Sequence, residues 1–183
     1  MPSRCNESTI VHRGRVFALH HDRITLPNGV VTTLDVIRHP GAAAIVPVTA
    51  RGHVVLIRQY RYAVDDRIWE IPAGTLEMGE SPLACARREL AEEIGMVAES
   101  WQPLGSIMPL PAYSDETIHL YRAEDLSPTD QCLDPDEILD VHEFGYEETL
   151  EMIRTGSIRD AKTITGLMMA QTARACEANP SGR

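Results

Sequence analysis

The sequence predicts an α+β layered fold, and three observations carry that reading. Short runs of alternating or continuous apolar residues, separated by turn residues, recur from residue 21 to 58 and from 103 to 144. Between them, residues 81 to 95 carry helix start and stop signals. Two segments near 146 to 154 and 160 to 177 close the chain with apolar residues at helical intervals.

The elements follow in order. His21 to His39 reads as a hairpin, with Ile24 and Leu26 before the turn Pro27-Asn28-Gly29 and Val30 to Ile37 after it. Residues 42–49 and 53–58 are apolar runs around Ala50-Arg51-Gly52, which predicts a second hairpin. Residues 67–71 form a short strand. Ser81 caps the helix that follows, Pro82 suits its first position, Leu83, Leu90 and Ile94 face a core, and Gly95 ends it. Residues 103–108 and 117–123 are strands around the loop Pro109 to Glu116, and a polar connection, Glu124 to Asp136, precedes a strand near 138–144. In the last helix Ile164, Leu167, Met168 and Gln171 recur at helical spacing, which makes its methionine pair packing residues.

Composition bounds the function. At 183 residues the chain fits one domain, or one domain with a small appendage, and 43% hydrophobic residues suffice for an ordinary core. No apolar run approaches a membrane span, and the first 15 residues lack the apolar stretch of a signal peptide. Cysteines 5, 85, 132 and 176 show no metal-ligand spacing, so reduced thiols and a cytoplasmic location are expected. The seven histidines show none either; His12, His20, His21 and His39 read as surface or turn residues. A net charge of −10 argues against a nucleic-acid partner. It also opposes an anionic substrate, so the field must be reversed locally by metal and arginine.

The chemistry is concentrated in residues 74–96, GTLEMGESPLACARRELAEEIGM. On the helix, Glu89 and Glu93 are four apart and share a face, with Glu92 beside them. Arg88 offsets one of these charges, and the remainder asks for a hard divalent cation such as Mg2+ or Mn2+. The loop before the helix adds Glu77 and Glu80, and Gly74 and Gly79 let its backbone bend and approach a ligand closely.

This run fits G-x5-E-x7-R-E-U-x-E-E-x-G-U, with U aliphatic, at every fixed position: Gly74, Glu80, Arg88, Glu89, Leu90, Glu92, Glu93, Gly95 and Met96. It resembles the box of Nudix hydrolases, which split a diphosphate joining a nucleoside to another group. The resemblance implies an α/β/α sandwich around a mixed β-sheet. It further implies metal ligation by the Ala73 carbonyl, Glu89 and Glu93, with Glu92 as a further ligand. Arg88 would orient the box glutamates and Glu80 would brace the loop.

The likeness extends beyond the box. HPGAAAIVP (39–47), LIRQYRYA (56–63), WEIPAG (69–74), PLPAYSDE (109–116) and RDAKTI (159–164) are similar to the ADP-ribose pyrophosphatase branch. The resemblance makes Arg61 a contact of the substrate diphosphate; the plainer reading is a surface ion pair with Asp65 or Asp66. Glu77 and Glu116 match substrate-side or metal-side acids, and Pro111 matches a loop proline of the branch. Ala112 departs from the glycine usual after that proline, which bears on substrate preference. Arg38 would reach a partner subunit's ligand if the hairpin exchanges across a homodimer. The general base falls to Glu137, in the acidic loop Asp134-Pro135-Asp136-Glu137, with Glu93 or Glu92 as the alternative.

The expected division is an N-terminal hairpin extension, residues 1–40, and a hydrolase domain, residues 41–178. The expected activity is Mg2+-dependent hydrolysis of ADP-ribose, or a related nucleoside diphosphate sugar, to AMP and ribose 5-phosphate. GDP-mannose, UDP-sugars or a dinucleotide such as flavin adenine dinucleotide are alternative substrates. A non-catalytic nucleotide-sugar sensor is the rival of another class; it would be expected to lose box carboxylates, and none is lost here.

Overall fold

A computed structural model describes residues 2–178, with side chains to residue 174. Its contacts divide the described residues into two compact units: 2–41 with 108–117, and 42–107 with 118–178.

The first unit is built on an antiparallel sheet in the order β1-β2-β3, with β1 Arg4–Arg13, β2 Ala18–Thr25 and β3 Val31–Arg38. The expected hairpin is β2–β3, and Asn28 accepts from Val30 N–H at its turn. β1 was not expected. Every residue of it is exposed, so no apolar alternation marks it, and it is held by its ladder to β2. The segment 108–117 joins this unit through β3: Ile37 N–H donates to Tyr113 O at 2.8 Å and Asp115 N–H to Ile37 O at 3.2 Å.

Among the described residues the second unit holds seven strands, three α-helices and a 3-10 turn at Tyr62–Val64: β4 Ala42–Pro47, β5 Val54–Arg61, β6 Asp66–Glu70, β7 Ala73–Thr75, α1 Pro82–Ile94, β8 Met96–Ile107, β9 Ile118–Pro128, β10 Leu139–Phe144, α2 Tyr146–Arg154 and α3 Ala161–Ala178. One sheet runs β7-β4-β9-β8, with β4 parallel to β9; the other runs β10-β5-β6. The expected hairpin at 42–58 is corrected here. Its tip forms, with Gly52 N–H on Thr49 O at 2.8 Å, Thr49 N–H on His53 O at 2.9 Å and an antiparallel bridge between Val48 and Val54, but beyond the tip β4 and β5 part into different sheets. All six β4 residues are buried, because a central strand covered on both faces gains more than an edge hairpin would.

Successive residues of β4 and β5 alternate between two cores. Ala44, Val46, Val54 and Leu56 pack with Leu120 and with Leu167 and Ala170 of α3. Ala43, Ile45, Val55 and Ile57 pack with Cys85, Ala86, Leu90 and Ile94 of α1. Helices on both faces of a mixed sheet make the α/β/α sandwich. Burying Leu90, which is fully enclosed, stabilises α1 against the sheet by about 1.5–3 kcal/mol. Among the described residues no helix is long and apolar enough to cross a membrane.

Candidate active site

The site is set by α1 and the loop before it. Ser81 Oγ accepts from Ala84 N–H at 3.2 Å, and Pro82 needs no partner at the first helical position. Gly95 turns left-handed at φ 64° and donates back to Ala91 O, so the helix stops there. On the buried face Cys85, Ala86, Leu90 and Ile94 enter the core, and Glu89 and Glu93 share that face one and two turns apart from Cys85. Apolar anchoring of the helix therefore carries two carboxylates to a fixed depth.

Glu93 is 1% exposed and accepts the Ala73 N–H at 2.8 Å, which ties α1 to β7. Burial, then repulsion from Glu89, pushes its carboxyl up to about 8. Glu89 is raised as well, by burial first, against the opposing pull of Arg88. Gly74 is required for this approach: a Cβ there would lie 1.7 Å from Glu89 Oε1.

Arg88 is the hub of the remaining acids. It grips Glu80 through Nε and Nη2, both at 3.0 Å, and gives Nη1 to Glu89 at 2.6 Å and Glu92 at 3.0 Å. Nη2 also donates to Thr75 O at 3.2 Å. Glu80 accepts the Glu77 N–H at 3.0 Å, so it braces the loop, and Arg88 holds its carboxyl down at about 2. Glu77 itself is exposed. Cys85 lies fully buried beneath this network, against Gly74 O, and burial with the charge of Glu89 pushes its thiol up to about 12. Its position marks it as a packing residue of the helix.

Three carboxylates on one guanidinium, with the buried Glu93 on the same helix, leave a surplus of negative charge. Glu93 has one backbone donor and a disfavoured ionised form, so its hard-oxygen environment suits a divalent cation. Among the described residues no three acidic, imidazole or thiol side chains converge on one point, since Arg88 draws Glu89 and Glu92 to itself. A cation would draw on Glu93, Glu89 and the Ala73 carbonyl, with Glu92 adjacent.

Arg61 has a partner that the sequence reading missed. It makes a fork to Glu70, Nε to Oε1 at 2.7 Å and Nη2 to Oε2 at 2.8 Å. Asp65 instead accepts the Tyr60 hydroxyl, and Asp66 pairs with Arg159 at 2.7 Å, so neither holds Arg61. The signal was present: β5 and β6 run antiparallel across a short turn, which sets the one acid of WEIPAG, Glu70, near the second arginine of RQYRYA. Arg61 and Glu93 feel one another's charge, as do Glu137 and both Glu89 and Glu93.

The loop carrying Glu137 starts on the end of α1. Cys132 N–H donates to Glu92 O at 3.2 Å, Gln131 Nε2 to Glu93 O at 2.5 Å and Thr129 N–H to Gly95 O at 2.8 Å. Glu137 closes its own turn, accepting Asp134 N–H at 2.9 Å.

The other expected site residues belong to the first unit. Arg38 pairs with the buried Asp22 and, at 3.1 Å, with Asp115. Ser8, then Arg38, holds Asp22 below the usual carboxylate range. Asp115 also accepts His39 N–H at 2.9 Å, and Glu116 Oε1 lies 3.9 Å from His39 Nδ1. Pro111 is exposed in the turn closed by Tyr113 N–H on Leu110 O.

A sandwich whose capped helix carries Glu89 and the buried Glu93 beside a glycine loop, with one arginine on the neighbouring acids, has the residue types that hydrolysis of phosphate compounds uses. The sequence profile described as the NUDIX domain matches residues 38–166, and the chain belongs to the Nudix family, whose hydrolases generally use divalent metal ions. Over 170 residues it is 35% identical to an ADP-ribose pyrophosphatase of Bacillus subtilis (strain 168), covering 92% of each chain. It is 40% identical over 163 residues to a methanol dehydrogenase activator of Bacillus methanolicus, covering 88% of each. Its fold matches the crystal structure of an ADP compounds hydrolase with a TM-score of 0.83 at 22% identity, covering 97% of this chain and 96% of that one.

Proposed function

We propose that this protein hydrolyses the diphosphate bond of ADP-ribose, or of a closely related nucleoside diphosphate sugar, to AMP and ribose 5-phosphate. The observation that carries the reading is Glu93, buried at 1% exposure and tied to Ala73 N–H, in a box that keeps every carboxylate. Likeness over nearly the whole length to an ADP-ribose pyrophosphatase supports the substrate class.

Bound divalent ions, Mg2+ or Mn2+, would neutralise the diphosphate and acidify the attacking water. The chain's own residues do the rest. Arg88 holds Glu89 and Glu92 in place, so the acids keep their spacing without a rotamer search. Arg61, with its far edge unspent by Glu70, takes part of the phosphate charge. Glu137 accepts the proton of the water as its oxygen bonds to phosphorus, and the bridging oxygen leaves with its electron pair. Asp134 N–H holds Oε2 of Glu137, which leaves Oε1 to take the proton. Glu77, Glu116 and Pro111 are assigned to the substrate side, and Arg38 to a homodimeric arrangement in the cytoplasm.

A substrate panel tests this: ADP-ribose, GDP-mannose, a UDP-sugar, flavin adenine dinucleotide and a nucleoside triphosphate, with Mg2+ and with Mn2+. Phosphate is counted after phosphatase treatment of the products. ADP-ribose should give the highest kcat/KM, by roughly tenfold or more, a difference of about 1.4 kcal/mol. A lead for GDP-mannose or the triphosphate would move the substrate, and no turnover of any diphosphate would overturn the enzymatic reading.

A further inference from the structure

Three stretches outside the box, RQYRYA, WEIPAG and RDAKTI, meet at Glu70. Glu70 is 1% exposed at the end of β6. It accepts Arg61 Nε at 2.7 Å and Nη2 at 2.8 Å, and Lys162 Nζ of α3 pairs with its Oε2. Lys162 also reaches Asp160 at 3.1 Å. Asp160 accepts from Thr163 N–H at 2.9 Å and Thr163 Oγ1 at 2.6 Å, and Thr163 Oγ1 accepts the N–H of Ile71, next to Glu70, at 2.9 Å. The chain of bonds thus closes on itself and locks the end of β6 to the start of α3.

Two cations and two carboxylates balance, so net charge is not what this network contributes. Nor is a buried ion pair a strong source of stability, since well-packed apolar replacements are often neutral or better. Its distinctive property is orientation. A guanidinium has five N–H donors in a rigid plane. Glu70 takes the Nε–Nη2 edge and leaves the Nη1 edge of a side chain that is 42% exposed. Burial alone would favour a neutral Glu70, yet Arg61 and Lys162 keep it ionised, which preserves the fork.

We propose that Glu70 is a positioning residue, fixing the Arg61 guanidinium with its Nη1 edge presented to the substrate diphosphate while Lys162 sets Glu70. This rests on the reading of Arg61 as the diphosphate-binding arginine. The test is steady-state kinetics with ADP-ribose and saturating Mg2+ on Arg61→Ala, Glu70→Gln and the double variant. Each single variant should raise KM by roughly tenfold with kcat within about threefold of wild type, and the double variant should match Arg61→Ala. A Glu70→Gln KM near wild type, or factors that multiply in the double variant, overturns the positioning role and leaves that of Arg61 standing. An unchanged KM in Arg61→Ala overturns both. Should Glu70→Gln fail to fold by circular dichroism, Arg61→Lys takes its place: it keeps the charge and cannot make the fork. A KM as high as that of Arg61→Ala supports the proposal, and a wild-type KM overturns it.

Discussion

Replacing Glu93 by Gln should stabilise the metal-free protein while removing its activity, and the size of the gain should follow pH. The folded protein binds a proton on Glu93 below about pH 8, whereas the unfolded chain binds it only below the ordinary value of 4.5. Stability from this group is therefore fully present below pH 4.5 and is lost as pH rises through 8. At 1.36 kcal/mol per pH unit the full gap is worth about 5 kcal/mol above pH 8, an upper figure because Glu89 shares the repulsion. Gln keeps an oxygen for Ala73 N–H and carries no charge. With a gain of roughly 2–5 kcal/mol, and about 2–4 °C per kcal/mol for a chain of this size, Tm in EDTA at pH 8.5 should rise by roughly 5–15 °C. At pH 5 the two proteins should melt within about 2 °C of each other. The assay is thermal unfolding by circular dichroism across pH, with turnover measured in Mg2+. Turnover should fall by about 10^2-fold or more, at least 2.7 kcal/mol of barrier. Adding Mg2+ should stabilise wild type more than the variant. A variant less stable than wild type at pH 8.5, or a gap that ignores pH, would refute the reasoning.

Three further outcomes are expected. Gly74→Ala sets a Cβ at 1.7 Å from Glu89 Oε1, so it should expel that carboxylate and cut kcat by about 10^2-fold; wild-type kcat would show that Glu89 is not needed where it lies. Glu137→Gln should lower kcat by about 10^2- to 10^4-fold at nearly unchanged metal affinity, and Asp136→Asn far less; the reverse order in rate assays would move the base to Asp136. The chain should be a dimer with residues 20–39 at or near the interface, so sedimentation showing only the 20.3 kDa species at micromolar concentration would refute it.

What the sequence revealed depended on how local the determinants are. The box helix was legible to the residue, because Ser81, Pro82 and Gly95 set its ends through contacts a few residues away. Strands β2 and β3 were legible for the same reason, through the Asn28-Gly29 turn. The pairing of β4 was not, because its partners are β9, far along the chain, and β7, a three-residue strand too short to show a period. β1 lacked any apolar pattern. At the site, residue types and spacing identified the acids. They did not show that Arg88 holds three carboxylates and the Thr75 carbonyl at once, or that Arg61 leans on Glu70, since both depend on which faces the folded sheet brings together.

Cys85 gives the buried side of α1 a chemical clock. Its thiol is fully enclosed and held protonated near pH 7, so an alkylating reagent can reach it only when α1 lifts from the sheet. Cys5 and Cys132 are exposed and should be consumed at once, which provides an internal standard within the same molecule. Mass mapping of the peptide that carries Cys85 then measures how often the carboxylate helix detaches, in the manner of amide exchange. Because Glu89 and Glu93 ride on that helix, a cation or substrate that binds them should slow the labelling of Cys85 and leave that of Cys5 unchanged. Site occupancy could then be followed without observing turnover.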